Sequence, residues 1–258
     1  MRIVRFSHAG GPRYGVIDGT DVAVIDPHPF TTYRPTGERL PIDSVQLLAP
    51  VIPSKIVCVG RNYADHAREL GNDLPDDTLF FLKPSSAVIG PGESIRLPTD
   101  LASDFSYEAE LAVVIGALVQ RATPQQAMAA VFGYTAANDI TARDWQQREH
   151  QWFRAKAFDS FCPLGPAIAT DLDPGAVSIR SWVDGELRQD GSSADMIRDV
   201  ATLVSEVSHI TTLLPSDVIL TGTPAGVGRL EPGQQVRVEV SGVGVLENPT
   251  IDRAARST

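Results

Sequence analysis

Short strand-like segments follow one another so closely along this chain that they limit its fold more than any other feature. Residues 3–6, 14–17 and 22–25 are short apolar runs with glycine-containing turns between them. Residues 55–59 have the nearly continuous apolar sequence that is typical of a buried strand. A doubly wound parallel sheet requires a helix after most strands, and too few helical segments intervene here. The pattern therefore predicts a fold of the α+β class that is mostly β.

Two units are predicted, a small N-terminal β unit over residues 1–50 and a main body over residues 54–258. Residues 27–41 are rich in Pro and Thr and are interpreted as a connection that follows the first strands. The dipeptide Asp184-Gly185 between two strand-like runs predicts a tight hairpin. Apolar periodicity and capping residues predict helices over residues 62–70, 124–130, 141–149 and 200–213.

The composition is that of an ordinary globular protein with a full core, because 43% of the residues are apolar and 21% are charged. The formal net charge of −10 argues against nucleic acid or an anionic membrane as a partner. No apolar stretch reaches the roughly 18 residues of a spanning helix, and the N-terminus has no apolar signal core. We therefore expect a cytoplasmic protein in which Cys58 and Cys162 pack in the core and form no disulfide.

Three carboxylates form the main chemical signal of the sequence. Glu108 and Glu110 open the apolar run 111–115, and alternation along a strand would place both side chains on one face. Two like charges so close repel each other, so one carboxyl would stay protonated unless a cation lies between them. Asp139 ends a second strand-like run. A set of oxygen ligands suits Mg²⁺ first and Mn²⁺ or Ca²⁺ next, although a solvated strand face with unrelated acids would look the same.

A histidine and a glutamate follow the predicted strand at residues 55–59. Within the predicted helix, His66 and Glu69 are three residues apart and share a face. A carboxylate next to an imidazole fixes its tautomer and raises its pKa, which makes it a better general base. The pair is therefore a candidate for activating water, while an ion pair on an exposed surface helix would have the same spacing.

Several basic and polar residues stand in contexts that require a partner. Lys83 closes an apolar run and Lys156 has aromatic neighbours, so each must either reach solvent or meet an anion. Arg143 follows the third carboxylate by four residues and can pair with it or bind a substrate carboxylate in a bidentate fork. The Gly-rich segment 221–228, which contains Thr223, is either a plain turn or an anion cradle.

In their order along the chain, these segments resemble the fumarylacetoacetate hydrolase family, in the branch of acylpyruvases and 2-hydroxyhepta-2,4-diene-1,7-dioate isomerases. The resemblance extends over residues 54–248. The first fifty residues resemble the small N-terminal unit of certain bacterial, especially actinobacterial, members. The motifs that carry the resemblance are residues 60–63 with His66 and Glu69, and residues 81–85, 107–116, 138–144, 156–158 and 220–224.

The resemblance implies a mixed β-roll, usually a homodimer, that binds Mg²⁺ or Mn²⁺ and a small 2-oxo or 2,4-diketo acid. It also implies a short lid helix that orders over bound substrate. By position in the motifs, the metal ligands would be Glu108, Glu110 and Asp139, the catalytic residues His66 and Glu69 (on the lid helix) and Lys156, and the substrate-binding residues Lys83, Arg143, Gln146 and Thr223.

The implied activity is hydrolysis of the C–C bond of an acylpyruvate, a 2,4-diketo acid, to pyruvate and a carboxylic acid. We favour it because both members of the His–Glu pair are present. The main alternative is an isomerase of 2-hydroxyhepta-2,4-diene-1,7-dioate or 5-carboxymethyl-2-hydroxymuconate in aromatic catabolism, and oxaloacetate decarboxylation would use the same enolate. A non-catalytic 2-oxo-acid binder is a more remote alternative. The far end of the substrate is expected next to residues 71–77 and 150–153.

Overall fold

The computed structural model describes residues 1–8, 10–69, 71, 73–74 and 76–254. Its helices are α1 (Ala64–Glu69), α2 (Pro124–Ala129), α3 (Arg143–Arg148), α4 (Phe153–Lys156) and α5 (Val200–Ile210). Its strands are β1 (Arg2–His8), β2 (Gly11–Asp18), β3 (Asp21–Asp26), β4 (Arg34–Pro41), β5 (Gln46–Leu48), β6 (Ile56–Gly60), β7 (Leu79–Lys83), β8 (Val88–Ile89), β9 (Ile95–Leu97), β10 (Phe105–Tyr107), β11 (Ala109–Ile115), β12 (Val131–Asn138), β13 (Thr141–Ala142), β14 (Cys162–Ala169), β15 (Ser178–Val183), β16 (Glu186–Ser192), β17 (Val218–Leu220), β18 (Gly228–Leu230), β19 (Gln235–Val240) and β20 (Gly244–Asp252). Strands predominate, which confirms the predicted α+β class with mostly β structure.

One large sheet carries most of the strands. Its order is β4-β3-β2-β1-β14-β12-β11-β17-β6-β7, with β5 beside β1 and β8 beside β14. Two smaller sheets have the orders β13-β10-β18 and β16-β15-β19-β20-β9. Most neighbouring strands are antiparallel, and β6 with β17 is a parallel pair. Because β11 lies inside the large sheet, between β12 and β17, the residues at its start are enclosed by protein.

The antiparallel pairing of β11 with β12 brings the acidic residues together. Ala109 at the start of β11 pairs with Asn138 at the end of β12, so Asp139 comes to lie next to Glu108. The backbone N–H of Asp139 donates to the carbonyl of Glu108 at 2.9 Å. The carboxylates therefore meet because of a register between strands that are distant in sequence.

Apolar side chains cover both faces of β11, which explains its continuous apolar sequence. Leu111 and Val113 belong to the core cluster that contains the apolar face of α5, and Ala112 and Val114 belong to a second cluster on the opposite face. Asp199 caps α5 by accepting a backbone N–H of its first turn. Burial of each Leu or Val side chain contributes about 1.5–3 kcal/mol, so this packing fixes the strand that carries the glutamates.

The structure differs from the sequence prediction at residues 27–41, which were interpreted as a connection. Residues 34–41 form β4, which pairs with β3 as a further antiparallel strand. β4 is the last strand of the large sheet, and edge strands accept proline because one side of the strand needs no hydrogen-bond donor. Pro35 and Pro41 thus gave the segment the composition of a loop although it is a strand.

The predicted helices are present with shorter bounds, except that Thr141 and Ala142 belong to β13, which pairs with β10. Thr123 caps α2 as predicted, in a capping box with Gln126. The short helix α4 was not predicted, and Leu70, the predicted end of the first helix, lies outside the described residues. The hairpin prediction is confirmed by the pairing of β15 with β16.

The first fifty residues continue the large sheet, because β1 pairs with β14 through Ile3 and Ile168. The division of the chain into two units stays a prediction, and the end of the predicted main body, residues 255–258, lies outside the described part. Cys58 and Cys162 are buried free thiols, in agreement with their prediction. Within the described residues, no helix has the length and apolar character needed to cross a membrane.

Candidate functional site

Glu108, Glu110 and Asp139 converge inside the protein, and we call them the carboxylate cluster. One carboxylate oxygen of each residue lies within 4.8 Å of the others. An all-oxygen donor set suits a hard divalent ion such as Mg²⁺ or Mn²⁺. The alternative of unrelated acids on a solvated strand face is wrong, since these residues are 5%, 1% and 1% exposed.

Three cationic side chains neutralise part of this buried negative charge. Lys156 Nζ donates to Glu108 Oε2 at 2.7 Å and to Asp139 Oδ2 at 2.6 Å. Lys83 Nζ donates to the second oxygen of Asp139 at 2.5 Å. Arg143 Nη2 forms an ion pair with Glu108 Oε1 at 2.6 Å. Glu108 and Asp139 are therefore each held by two cations.

Glu110 has no cationic partner of this kind among the described residues. Its Oε2 accepts the backbone N–H of Gly222 at 2.7 Å. Burial, together with the charges of Asp139 and Glu108, raises the pKa of Glu110 well above its ordinary value. Burial alone would also raise the pKa of Glu108, but its two cationic partners hold that pKa well below the ordinary value. The cluster thus has one carboxylate whose charge the protein does not compensate, and a divalent cation would compensate it.

A cavity of about 330 Å³ opens onto the cluster. Trp152 lines it, as expected for the region 150–153. Of the region 71–77, residues 72 and 75 lie outside the described part, and none of its described residues lines the cavity. The predicted site residues that line this cavity are His66, Glu108, Glu110, Arg143, Gln146, Lys156 and Thr223.

Lys83, predicted to bind substrate, is not among the described residues that line this cavity. It is 1% exposed and lies behind Asp139, to which it donates its hydrogen bond. The anion that this buried lysine requires is therefore supplied by the protein itself. Its position supports a role in holding Asp139, and direct contact with substrate would need the carboxylate to move aside.

The predicted lid residues lie together on α1. His66 Nδ1 is 3.4 Å from Glu69 Oε2. The histidine is only 5% exposed although the glutamate is exposed, so the imidazole does not lie on an open surface. The two oxygens of Glu69 also accept the backbone N–H of Gly226 at 3.1 and 3.2 Å, which joins α1 to the Gly-rich segment. The predicted rise of the histidine pKa is wrong: burial lowers the pKa of His66 despite Glu108 and Glu69. The imidazole is therefore neutral at neutral pH.

Arg143 does not pair with Asp139, which was one of the two alternatives. It pairs with Glu108, and its Nε donates to Ser106 Oγ at 3.0 Å. Its Nη1 donates to Gln146 Oε1 at 2.8 Å, so the two predicted substrate-binding residues are bonded to each other at the cavity wall. Contact of either with a substrate carboxylate stays a prediction.

Thr223 lines the cavity from the Gly-rich segment, but its hydroxyl proton is already used. Its Oγ1 donates to the Ala109 carbonyl at 2.8 Å and accepts from Gln189 Nε2 at 2.7 Å. The hydroxyl can therefore offer a substrate only a lone pair, whereas backbone N–H groups of the segment remain a possible source of donors.

Comparison with known proteins identifies the family of the chain. The profile of the Fumarylacetoacetate (FAA) hydrolase C-terminal family matches residues 55–251, and the profile Rv2993c-like, N-terminal matches residues 1–50. The first match covers more than half of the chain. The chain belongs to the fumarylacetoacetate hydrolase family.

Several family members are similar over almost the whole chain. Protein Rv2993c of Mycobacterium tuberculosis is 46% identical, covering 97% of this chain and 98% of the relative. Oxaloacetate tautomerase FAHD2B, mitochondrial, of Bos taurus is 39% identical, with 97% and 92% covered. A crystal structure of 2-hydroxyhepta-2,4-diene-1,7-dioate isomerase from Mycobacterium marinum has 42% identity, a TM-score of 0.92 and coverage of 98% and 99%. A maleylpyruvate hydrolase from Sphingobium sp. SYK-6, in complex with manganese (II) ion and pyruvate, has 31% identity, a TM-score of 0.80 and the same coverage.

Sequence reasoning missed Gln189, a buried residue of this fumarylacetoacetate hydrolase fold that supports the site. Its Oε1 accepts the backbone N–H of Ala109, between the two glutamates, at 3.0 Å and the hydroxyl of Ser181 at 2.9 Å. Its Nε2 donates to Thr223 Oγ1 and, at 2.8 Å, to the Pro224 carbonyl. Gln189 thus connects β16 both to the start of β11, which carries the glutamates, and to the Gly-rich segment 221–228. The predicted hairpin placed Gln189 on a strand, but nothing in the sequence indicated that its side chain would contact the start of β11.

We expect Gln189→Ala to lower the free energy of unfolding by about 2–4 kcal/mol, because it leaves several buried polar groups without partners. Urea unfolding of the two proteins measures the difference. Gln125→Ala is the matched control, since Gln125 is exposed and should be replaceable without loss. If the Gln189 variant were as stable as wild type, the amide would not be what holds β11 and the Gly-rich segment together.

Proposed function

We propose that this chain is a divalent-metal-dependent hydrolase that cleaves the C–C bond of acylpyruvate-like 2,4-diketo acids. The observation that carries the proposal is that His66, Lys156, Glu108 and Glu110 line one cavity, with Asp139 beside the two glutamates in the carboxylate cluster. Similarity to a maleylpyruvate hydrolase whose structure contains manganese (II) ion and pyruvate supports it.

The carboxylate cluster fits a divalent ion by its chemistry. Glu108, Glu110 and Asp139 offer oxygen donors within 4.8 Å of one another. The ionised form of Glu110 is disfavoured by burial and by the two neighbouring carboxylates, and a divalent cation would stabilise it. These three residues would hold the ion, and Mg²⁺ or Mn²⁺ matches the donors best. When bound, such an ion polarises the oxygens of a 2-oxo acid and stabilises negative charge on them.

Lys156 supplies a fixed positive charge at the cavity. Burial would lower its pKa, but Asp139 and Glu108 outweigh burial, so its pKa is raised and the ammonium stays charged at neutral pH. Two of its three N–H donors bind these carboxylates, which leaves the third for a substrate oxygen. Lys156 can therefore stabilise the charge that develops on the pyruvate part of the substrate when the C3–C4 bond breaks.

His66 is placed to take a proton from water. Because burial keeps the imidazole neutral, it has a lone pair available, and the contact of Nδ1 with Glu69 leaves Nε2 to accept the proton. The resulting hydroxide adds to the C4 carbonyl carbon of the substrate. The C3–C4 bond then breaks, its electron pair stays on C3 of the pyruvate enolate, and a proton returned to C3 gives pyruvate beside the carboxylic acid.

Isomerisation or tautomerisation of a 2-oxo acid is the second candidate function. It is supported by the similarity of this chain to the isomerase from Mycobacterium marinum, at 42% identity, and to the tautomerase from Bos taurus, at 39%. These reactions move protons between carbon and oxygen without attack by water. Lys156 and the carboxylate cluster would serve them unchanged, so the behaviour of His66 decides between the two candidates. Decarboxylation of oxaloacetate would also leave an enolate without attack by water.

We expect wild-type protein with Mn²⁺ to release pyruvate from acetylpyruvate, and His66→Asn to lose about 10²–10⁴-fold of that rate, as expected for a general base. A coupled assay of pyruvate measures the rate, and ketonisation of 2-hydroxyhepta-2,4-diene-1,7-dioate is followed in parallel by absorbance. His209→Asn is the control, because His209 is exposed and lies on α5.

Pyruvate release from no acylpyruvate, combined with intact ketonisation, would contradict the hydrolase and establish the isomerase. If wild type had neither activity but bound oxalate tightly, the protein would instead be a non-catalytic 2-oxo-acid binder.

A further inference from the structure

The chain passes from one sheet to another at Glu108. β10 ends at Tyr107 and belongs to the three-stranded sheet, whereas β11 begins at Ala109 and belongs to the large sheet. Glu108 itself lies in neither strand. Backbone N–H groups at such a change of sheet lack the regular ladder partners, and when they are buried they need other acceptors.

Two buried side-chain amides supply these acceptors. Asn138 Oδ1 accepts the backbone N–H of Glu108 at 3.0 Å, and Gln189 Oε1 accepts the next N–H, that of Ala109, also at 3.0 Å. The two amide residues are 1% and 0% exposed, and we call them the amide clamp. Asn138 lies on β12 in the large sheet and Gln189 on β16 in the five-stranded sheet, so the clamp holds this stretch of backbone from two different sheets.

Asn138 also joins two of the proposed metal ligands to each other. It precedes Asp139, whose backbone N–H donates to the Glu108 carbonyl at 2.9 Å. The backbones of Glu108 and Asp139 are therefore connected twice, once through the Asn138 side chain and once directly. The backbone of Asn138 is fixed in turn, because its carbonyl accepts the N–H of Ile140 at 3.1 Å. The separation of these two ligands is thus set by backbone contacts and not only by side-chain rotamers.

Gln189 extends the clamp towards the third ligand. Its Nε2 donates to Thr223 Oγ1 at 2.7 Å, in the segment that also contains Gly222. The N–H of Gly222 donates to Glu110 Oε2 at 2.7 Å. All three carboxylates therefore stand on backbone that the clamp contacts directly or through one neighbouring residue.

We infer that the amide clamp makes the carboxylate cluster selective for Mg²⁺ over Ca²⁺, with Asn138 as a positioning residue. The inference rests on the proposed function, because it assumes that the cluster binds a divalent ion. Mg²⁺ requires nearly octahedral ligands at about 2.0–2.1 Å, whereas Ca²⁺ accepts varied arrangements of oxygens at about 2.3–2.6 Å. Ligands on a fixed backbone favour the smaller and more demanding ion, and a loosened backbone would remove this advantage.

The experiment compares the affinities of wild type and Asn138→Leu for Mg²⁺ and for Ca²⁺ by calorimetry. Leucine has nearly the volume of asparagine but no acceptor, so the N–H of Glu108 loses its partner. We expect the Mg²⁺ affinity to fall about 10–100-fold, as for other groups that support metal ligands, and the Ca²⁺ affinity to change little. Asn138→Asp keeps the acceptor and should keep the ratio of the two affinities, although its added charge alters both. If Asn138→Leu does not fold, Asn138→Ser replaces it.

Asn248→Leu is the matched control. Asn248 is also 1% exposed and bonds backbone through its side chain, since its Nδ2 donates to the carbonyls of Gly90 and Glu93 at 2.8 Å. It does not line the cavity. Asn248→Leu should lower stability without changing the ratio of Mg²⁺ to Ca²⁺ affinity. If Asn138→Leu also lost stability but kept that ratio, the role of Asn138 would be structural only and the inference would be overturned.

These binding measurements need no turnover, so they separate failure of the inference from failure of the proposed function. If the ratio shifts as expected but no acylpyruvate is hydrolysed, the hydrolase proposal fails and the role of the clamp stands. If pyruvate is released with Mg²⁺ but Asn138→Leu keeps the wild-type ratio, the role of the clamp is refuted and the hydrolase proposal stands. Equal affinity of wild type for Mg²⁺ and Ca²⁺ would also refute the inference.

Discussion

Glu110→Gln is expected to abolish the binding of Mn²⁺ and Mg²⁺ while leaving the metal-free protein at least as stable as wild type. The amide can still accept the N–H of Gly222, but it carries no charge. Groups that only support a metal ligand already account for about 10–100-fold in affinity, so loss of a ligand should exceed about 100-fold. Stability should not fall, because Glu110 is the member of the cluster whose charge burial and its neighbours oppose. Calorimetry and urea unfolding without metal measure the two effects.

The same substitution should change how stability depends on pH. Because the pKa of Glu110 is raised, the folded metal-free protein keeps a proton that the unfolded chain loses above the ordinary value of 4.5. Unfolding therefore releases a proton, and stability falls as pH rises above that value, by at most about 1.4 kcal/mol per pH unit. Glu110→Gln should remove this slope. The lowered pKa of Glu108 acts only at lower pH, where its contribution is lost as pH falls.

Metal binding should show the opposite trend, since the ligand is the deprotonated carboxylate: the affinity of wild type for Mn²⁺ should rise with pH. Glu247→Gln is the control for removing one acidic charge, because Glu247 is exposed. Strong Mn²⁺ binding by Glu110→Gln, or a large loss of its stability without metal, would contradict the assignment of Glu110 as a ligand.

The sequence could predict the fold class and the pairing of the two glutamates from local patterns, because strand alternation placed Glu108 and Glu110 on one side. Asp139 was assigned to the same site by the family motifs. The family motifs also assigned His66 and Lys156 to this site. The register of β11 with β12, which makes the three carboxylates meet, is a long-range property that these patterns did not contain.

Other features depend on contacts between distant parts of the chain. The burial that lowers the pKa of His66 comes from packing around α1, whereas the sequence showed only its glutamate neighbour. Lys83 binds Asp139, which is 56 residues away in the sequence. The residues around Lys83 therefore indicated that it needs an anion, but not which one. Gln189 reaches Ala109 across 80 residues and between two sheets. β4 was missed because proline, which normally argues against a strand, is acceptable at the edge of a sheet.

Lys156→Met is expected to remove activity and to lower the free energy of unfolding of the metal-free protein by about 3–5 kcal/mol, because it leaves two buried carboxylates short of a partner. Lys156 is 1% exposed and bonds both Glu108 and Asp139. Mn²⁺ should stabilise this variant more than it stabilises wild type, since the ion would neutralise the same carboxylates. Thermal unfolding with and without Mn²⁺ measures this difference, and a pyruvate assay measures activity.

Lys55→Met separates the loss of an ion pair with a buried carboxylate from the loss of a catalytic charge. The sequence has three lysines, and each pairs with a carboxylate that is at least 95% buried. The partner of Lys55 is Asp217, which does not line the cavity. We expect Lys55→Met to lose stability but to keep kcat when assayed well below its unfolding temperature. If Lys156→Met kept its activity at such a temperature with Mn²⁺ bound, the ammonium would have only a structural role, because the ion alone would then stabilise the charge that develops on the substrate.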